Sequence, residues 1–314
     1  MLNILYVLFT LQQTFPSMEA YAMGKESLDC EHTLSLAISE ATGQGCPPLL
    51  AKALDYAVFP GGARVRPRLC LAVALANGNS EPRLASAAAA AIELLHCASL
   101  VHDDLPCFDD AIERRGKPSL HAAFGQRIAV LSGDALIVAA FQQLAQLGSS
   151  VTHPVRMAQV TAIVAAGVGG PMGICAGQAW ECEPRVDLEH YHQAKTGALF
   201  VAATCAGAVS AGVPPEPWRE LGNSIGEAYQ VADDIQDAIA DTATIGKPTG
   251  IDVALDRPSA VRELGLQGAV KRLERCIEKG LDSIPACKGR ALLHDVVQQQ
   301  SNRFFPQGIK HTAA

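Results

Sequence analysis

From His32 onward, apolar residues recur every three or four positions with polar residues between them. No stretch sustains the alternation of β-branched side chains that a half-buried strand requires. Ala and Leu are abundant and aromatics make up only 5% of the chain, which again favours helices. The pattern predicts helices over 30–42, 48–58, 65–77, 82–105, 126–147, 154–169, 187–211, 216–241, 258–283 and 288–303, with shorter pieces near 118–124 and 170–182. Gly and Pro break the periodicity at Pro60-Gly61-Gly62, Gly148-Ser149-Ser150, Gly169-Gly170-Pro171, Pro214-Pro215 and Gly246-Lys247-Pro248. The alanine run at 87–91 lies inside a predicted helix, where small side chains let a neighbouring helix approach closely. With no internal repeat and no low-complexity linker, the expected fold class is all-α.

Composition narrows the picture. An apolar share of 49% with 18% charged residues fits a large buried core. A length of 314 residues would allow two domains. The candidate functional residues, however, run from position 61 to 247 and must meet at one site, so residues 25–314 are expected to form a single domain. A net charge of −7 argues against a nucleic-acid partner. It also means that anion binding would need a metal or a local basic wall. The ten cysteines form no CxxC pair and no zinc spacing, so reduced thiols of a cytoplasmic protein are expected rather than disulfides. The first 24 residues are apolar up to Thr10, too short a run to span a bilayer, and no Lys or Arg precedes Lys25 as a signal peptide would require. They are expected to be a disordered extension or to lie upstream of a true start at Met18 or Met23. A membrane-touching helix is the lesser alternative, and stable membrane insertion is not expected.

The densest charge lies in 100–118, LVHDDLPCFDDAIERRGKP. Asp103, Asp104, Asp109 and Asp110 crowd together, and Arg114 and Arg115 follow. Carboxylates at this density repel one another unless a cation sits among them. Adjacent arginines suggest an anion on the far side of that cation, a layering that holds a diphosphate. A second set, Asp233, Asp234 and Asp237, lies in YQVADDIQD. Asp233 and Asp237 are four apart, so both project from one face of the predicted 216–241 helix. Hard oxygen ligands suit Mg²⁺, which keeps waters and takes one or two carboxylates plus substrate phosphates. A solvated acidic face is the bland alternative, disfavoured by the apolar flanks Ala228, Val231, Ala232, Ile235 and Ala238. In the first set Asp103 and Asp109 are six apart and Pro106 must break or kink the helix. A local bulge would then bring Asp109 back beside Asp103. An EF-hand is excluded, because neither its Asp-x-Asp-x-Asp-Gly pattern nor its Glu at position twelve is present.

Other segments add basic groups. His96 sits seven residues before Asp103, two turns up the same helix face, either as a ligand contact or as a structural histidine. The stretch PGGARVRP at 60–67 is a Gly turn with Arg64 and Arg66, no Walker loop but a reasonable anion cradle. Lys195-Thr196-Gly197 falls in an apolar run, where a buried lysine needs a partner and a phosphate in a central cavity would serve. Gly246-Lys247-Pro248-Thr249-Gly250 could be a mobile lid that brings a lysine with it.

Taken together these motifs resemble the trans-isoprenyl diphosphate synthases, the polyprenyl synthetase family. DDLPCFD with RRGKP behind it matches the first aspartate-rich motif, and DDIQD at 233–237 the second. GGARVRP matches the family's GGKRxRP turn, Lys195-Thr196 its Lys-Thr pair, Gln230 its Gln before the second motif, and Lys247 its late lysine. The resemblance covers roughly 47–285 and is most like bacterial geranylgeranyl diphosphate synthases. It implies a helical bundle around a deep cavity, the isoprenoid synthase fold, commonly as a homodimer. It further implies that Asp103, Asp104, Asp109, Asp233 and Asp237 hold Mg²⁺, three ions per site, on an allylic diphosphate (dimethylallyl, geranyl or farnesyl). Arg114, Lys195, Thr196, Gln230 and Lys247 would bind that substrate. Arg66, His96 and Arg115 would bind isopentenyl diphosphate. The family's lysine in the Gly turn is Ala63 here, with Arg64 as a candidate substitute.

The implied reaction ionises the allylic C–O bond, and the double bond of isopentenyl diphosphate attacks the cation. Asp103, Asp109, Lys195, Gln230, Asp233 and Lys247 are then the catalytic candidates, and closure of 246–250 would exclude water. Small residues at Ala98 and Ser99, just before Asp103, leave room for a long product. That points to geranylgeranyl diphosphate, C20, with farnesyl diphosphate, C15, as the alternative. Two more distant rivals are a class I terpene cyclase and a regulatory subunit. The second DDxxD and the GGARVRP turn disfavour the cyclase, and retention of both aspartate motifs disfavours the subunit.

Overall fold

The computed structural model of the protein describes residues 30–59, 61–185, 188–239 and 259–305. The extension over 1–24, Lys247 and the 246–250 segment lie outside the described residues. In chain order the elements are α1 (Glu31–Ala41), α2 (Pro48–Val58), α3 (Val65–Ala76), α4 (Pro82–Asp103), a hairpin of β1 (Glu113–Arg114) and β2 (Lys117–Pro118), α5 (Leu120–Phe124), α6 (Gln126–Ala145), α7 (Pro154–Val168), α8 (Ile174–Trp180), α9 (Leu188–His192), α10 (Ala198–Ala211), α11 (Arg219–Ile239), α12 (Ala260–Asp282) and α13 (Arg290–Ser301). The all-α expectation holds.

Local chemistry sets many of the ends. Pro occupies the first turn of α2, α4 and α7, where its missing N–H costs no helical bond. Ser259 caps α12 by accepting from the Arg262 amide at 3.2 Å. Gly212, at φ 83°, closes α10 in the left-handed conformation.

Packing follows from the composition. The alanines at 87–91 in α4 are all buried, and α10 is buried almost from end to end. α4 packs on α6, α3 and α10, while α10 also contacts α7 and α11, and α12 lies along α11. One apolar core surrounds α4 and includes Leu34, Leu54, Leu94 and Leu136; a second lies among α3, α11, α12 and α13. Each such fully buried leucine contributes on the order of 1.5–3 kcal/mol relative to exposure. Among the described residues three helical stretches, 82–103, 126–145 and 190–211, are long and apolar enough to cross a membrane by length and composition alone. Two are 78% and 83% buried inside the fold, which accounts for their hydropathy. The third, α6, is only 39% buried and turns Val130, Leu131 and Val138 outward.

Two departures from the helical pattern border the cavity. Residues 113–118 form a short antiparallel hairpin, with Arg114 opposite Lys117 and Arg115-Gly116 as its two-residue turn. Both turn residues have positive φ, 55° and 72°, as the turn that suits the strand twist requires. The Tyr56 hydroxyl fastens the hairpin by donating to the Pro118 carbonyl at 2.8 Å. The other departure is a π-helical turn at Gln193–Gly197, inside what the periodicity reads as one helix over 187–211. α8 and α11 clamp this turn. Gly177 lies against the Lys195 backbone, and a Cβ on Gly226 would stand 2.9 Å from the Gly197 Cα.

Candidate active site

α4, the hairpin, α8, the π-turn and α11 surround one cavity of about 800 Å³. Its polar lining includes Asp103, Asp109, Arg114, Arg115, Arg66, His96, Lys195, Thr196, Gln230, Asp233 and Asp237, and its apolar lining includes Leu95, Ala98, Ile137, Val168, Ile174 and Leu199. Residues separated by up to 171 positions therefore meet, as one site spanning the chain demands (237 − 66).

At the C-terminus of α4 the chain turns sharply before Pro106. The Asp109 amide donates to the Asp103 carbonyl at 3.0 Å, so the two residues stand side by side despite their spacing. Their carboxylates and that of Glu181 bring one oxygen each within 4.8 Å of one another. Burial raises the Asp103 pKa, with Lys195 opposing the shift and Asp109 reinforcing it. Asp103 Oδ1 is buried and has no hydrogen-bond partner among the described residues, although Lys195 Nζ stands 3.7 Å away. Converging carboxylates with a buried, unbonded oxygen fit a hard divalent cation such as Mg²⁺. Glu181 belongs to neither aspartate motif. Its only signal is an acidic residue within the apolar run ICAGQAWE. It accepts from Lys195 Nζ at 2.5 Å and from the Tyr191 hydroxyl at 2.6 Å, and so holds the lysine at the cavity wall.

Asp104 is corrected. Expected among the metal ligands, it is 2% exposed, and both its oxygens accept from Arg114 at 2.6–2.8 Å. Burial raises its pKa, and the Arg114 fork opposes that shift. For Arg114 burial disfavours the charge, but the Asp104 fork more than offsets it and the pKa rises. Arg114 still reaches the cavity, with Nη2 3.9 Å from Asp103.

The second motif lies across the cavity on α11. Asp233 and Asp237 line it, four residues apart on one face. Asp234 points the other way. It accepts from Gln230 Nε2 at 3.0 Å and from the Ala260 amide at 2.7 Å, joining α11 to the start of α12. Gln230 in turn accepts from the Thr196 hydroxyl at 2.8 Å, so Thr196 and Gln230 line the cavity while bracing the π-turn against α11.

Arg66 is 7% exposed and lies over the rings of Phe200 and Tyr229 at 4.3 and 5.1 Å. Its Nη1 stands 3.4 Å from His96 Nε2. Burial, then Arg66, Arg115 and Arg114, hold the His96 pKa well below its ordinary value, so this imidazole is neutral among guanidiniums. Arg115 lies so close to Gly62 that a Cβ there would stand 2.7 Å from its guanidinium carbon. Arg64 is the second correction. It does not line the cavity, and its guanidinium is buried on Glu31, Glu93 and the Val58 carbonyl. It cannot replace the lysine that Ala63 lacks.

Below the aspartates, Ala98 and Ser99 line the cavity. The Ser99 hydroxyl donates back to the His96 carbonyl at 2.8 Å, which leaves this wall effectively apolar.

A helical bundle with two aspartate faces across one cavity, a basic cradle beside them and an apolar extension below defines an enzyme that handles diphosphates of hydrocarbon chains. The chain belongs to the polyprenyl synthetase family, whose model matches residues 47–289, and it is a prenyltransferase. It is 52% identical over 279 residues to the geranylgeranyl diphosphate synthase of Cereibacter sphaeroides, covering 89% of this chain and 96% of that one. With the Rhodobacter capsulatus geranylgeranyl diphosphate synthase it shares 51% over 276 residues, 88% and 94% of the respective chains. Among solved structures, the Helicobacter pylori geranyltransferase complexed with magnesium and isoprenyl diphosphate superposes with a TM-score of 0.75 at 30% identity, over 90% of this chain and 96% of that one. The geranylgeranyl pyrophosphate synthetase of Pyrococcus horikoshii gives 0.74 at 26% identity, over 91% and 99%.

Proposed function

We propose that this prenyltransferase condenses isopentenyl diphosphate with dimethylallyl, geranyl and farnesyl diphosphates to make geranylgeranyl diphosphate, using three Mg²⁺ ions per site. The observation that carries the reading is that the four outer aspartates line the same cavity as the apolar Leu95, Ala98, Ile137, Val168 and Leu199. Asp103, Asp109, Asp233 and Asp237 would hold the ions. When bound, Mg²⁺ supplies positive charge against which the allylic diphosphate can leave. Lys195 and Arg114, 3.7 and 3.9 Å from Asp103, add positive charge beside the aspartates. Arg66 and Arg115, with neutral His96 3.4 Å from Arg66, hold the second diphosphate and orient the attacking double bond. The apolar walls formed by Leu95, Ile137, Val168 and Leu199 exclude water from the cationic centre and receive the growing chain.

The protein acts, in this reading, as a cytoplasmic homodimer. All ten cysteines are free, which supports a reducing compartment. The outward Val130, Leu131 and Val138 of α6, with Val155 of neighbouring α7 at 71% exposure, supply an apolar face for a second copy.

Product length tests the proposal. Purified enzyme given isopentenyl and dimethylallyl diphosphates should accumulate C20, and Ala98→Tyr should shorten the main product to C15 by plugging the cavity below Asp103. A wild type that stops at C15, or a variant that still makes C20, would show that the floor of the cavity lies elsewhere.

A further inference from the structure

The Gly turn PGGARVRP carries two arginines, Arg64 and Arg66, of which Arg66 lines the cavity and Arg64 does not. Arg64 opens α3 at φ 52° and ψ 38°, a conformation that non-glycine residues avoid. Its side chain is held from three sides. Nε and Nη2 donate to Glu31 of α1 at 2.8 and 3.3 Å, Nη1 donates to Glu93 of α4 at 2.7 Å, and Nη2 donates to the Val58 carbonyl ending α2 at 2.8 Å. Arg64 and Glu93 are only 4% and 3% exposed, so each is the other's counter-ion in a place water does not reach.

The neighbours of this pair give it a consequence in the cavity. Glu93 lies one helical turn before His96 on α4, and Arg64 lies two residues before Arg66. The Arg64–Glu93 pair and the 3.4 Å Arg66–His96 approach are therefore successive rungs between the same two segments. Only the second rung faces the cavity. Gly61 packs against the Arg64 guanidinium and Gly62 against that of Arg115, so the turn is sandwiched between one internal and one cavity-facing arginine.

We propose that Arg64 is a positioning residue for the isopentenyl diphosphate half of the site: its buried fork sets the register of the turn against α4 and thereby aligns Arg66 with His96 and Arg115. This rests on the assignment of that half of the cavity made above. Arg64 touches neither substrate, and the allylic half, built on Asp103, Lys195 and α11, shares none of its contacts.

Steady-state kinetics on Arg64→Met, with thermal melts alongside, test the idea. The expected result is a KM for isopentenyl diphosphate raised about tenfold, a KM for the allylic diphosphate within about twofold of wild type, and kcat reduced less than about threefold. Arg64→Lys, which keeps a charge for Glu93 but loses the fork, should fall between. Equal changes in both KM values, or no change in either, would overturn the assignment. Should Arg64→Met fail to fold, the double variant Arg64→Met/Glu93→Gln leaves no ion buried alone and must show the same split. A wild-type KM for isopentenyl diphosphate in that double variant would equally overturn it. Failure of the wild type itself to consume isopentenyl diphosphate would instead remove the functional reading beneath the proposal.

Discussion

In the first aspartate motif the middle carboxylate, Asp104, is buried and forked by Arg114; in the second, Asp234 is just as buried and accepts from Gln230 and the Ala260 amide. The outer carboxylates of both motifs face the common cavity. The routes to this outcome differ. On α11 an uninterrupted helix places Asp233 and Asp237 on one face without help. At the end of α4, Asp103 and Asp109 become neighbours only because the helix stops and the Asp109 amide bends back to the Asp103 carbonyl. Each middle aspartate then secures the segment that its own motif needs, the arginine hairpin in one case and the start of α12 in the other. Acidic residues adjacent in sequence thus divide into groups facing substrate and groups facing the fold.

The largest expected effect tests the outer set. Asp103→Asn and Asp237→Asn should each lower turnover by about 10²–10³, the typical cost of removing a preorganised electrostatic group. Asp103→Asn should not lower the melting temperature, because burial already disfavours its charge. Near-normal turnover in either variant would remove that residue from the metal-holding set.

Of the middle aspartates, Asp234→Ala would strand the Ala260 amide and Gln230 Nε2, costing roughly 1–3 kcal/mol in denaturant melts. Asp104→Ala would leave Arg114 without its fork, at a cost of similar order moderated by the arginine's partial exposure. The two should differ in kinetics. Loss of Asp104 frees the hairpin that carries Arg114 and Arg115 and should disturb the KM of both substrates, whereas loss of Asp234 should act mainly on the allylic substrate through Gln230 and Thr196. Identical KM patterns would erase the proposed division of labour.

The smallest effect is a pH dependence. Burial among arginines holds the folded-state pKa of His96 below its ordinary value of 6.5. Below about pH 6.5 the unfolded chain therefore takes up a proton that the folded chain refuses. The stabilisation from neutral His96 is complete above that pH and declines as pH falls toward the depressed value. His96→Gln should flatten this part of the stability profile. An unchanged slope would mean that His96 does not titrate below its usual range.

Much of this was legible in the chain alone. Apolar periodicity placed the helices because a helix that buries one face must repeat every three to four residues, whatever it packs against. The i, i+4 spacing put Asp233 and Asp237 on one face for the same reason, and Pro106 announced the break that folds Asp109 back. Hairpin 113–118 was harder, since strands of two residues carry no period and only Arg115-Gly116 marks the turn. The π-turn at 193–197 was hidden because its residues suit an ordinary helix; Gly177, Gly226 and the Thr196–Gln230 bond that accompany it come from other elements.

What the sequence by itself determined is the inventory of charges and the local geometry that holds them: which residues lie on helices, and which carboxylates can share a face. Only the tertiary structure decided where each charge points. Arg64 and Arg66 are two residues apart in one turn, yet Glu31 and Glu93 draw the first into the protein while Phe200, Tyr229 and His96 surround the second at the cavity. A buried charge goes where its counter-ion is, and these counter-ions arrive from helices more than twenty-five residues away (64 − 31 and 93 − 64).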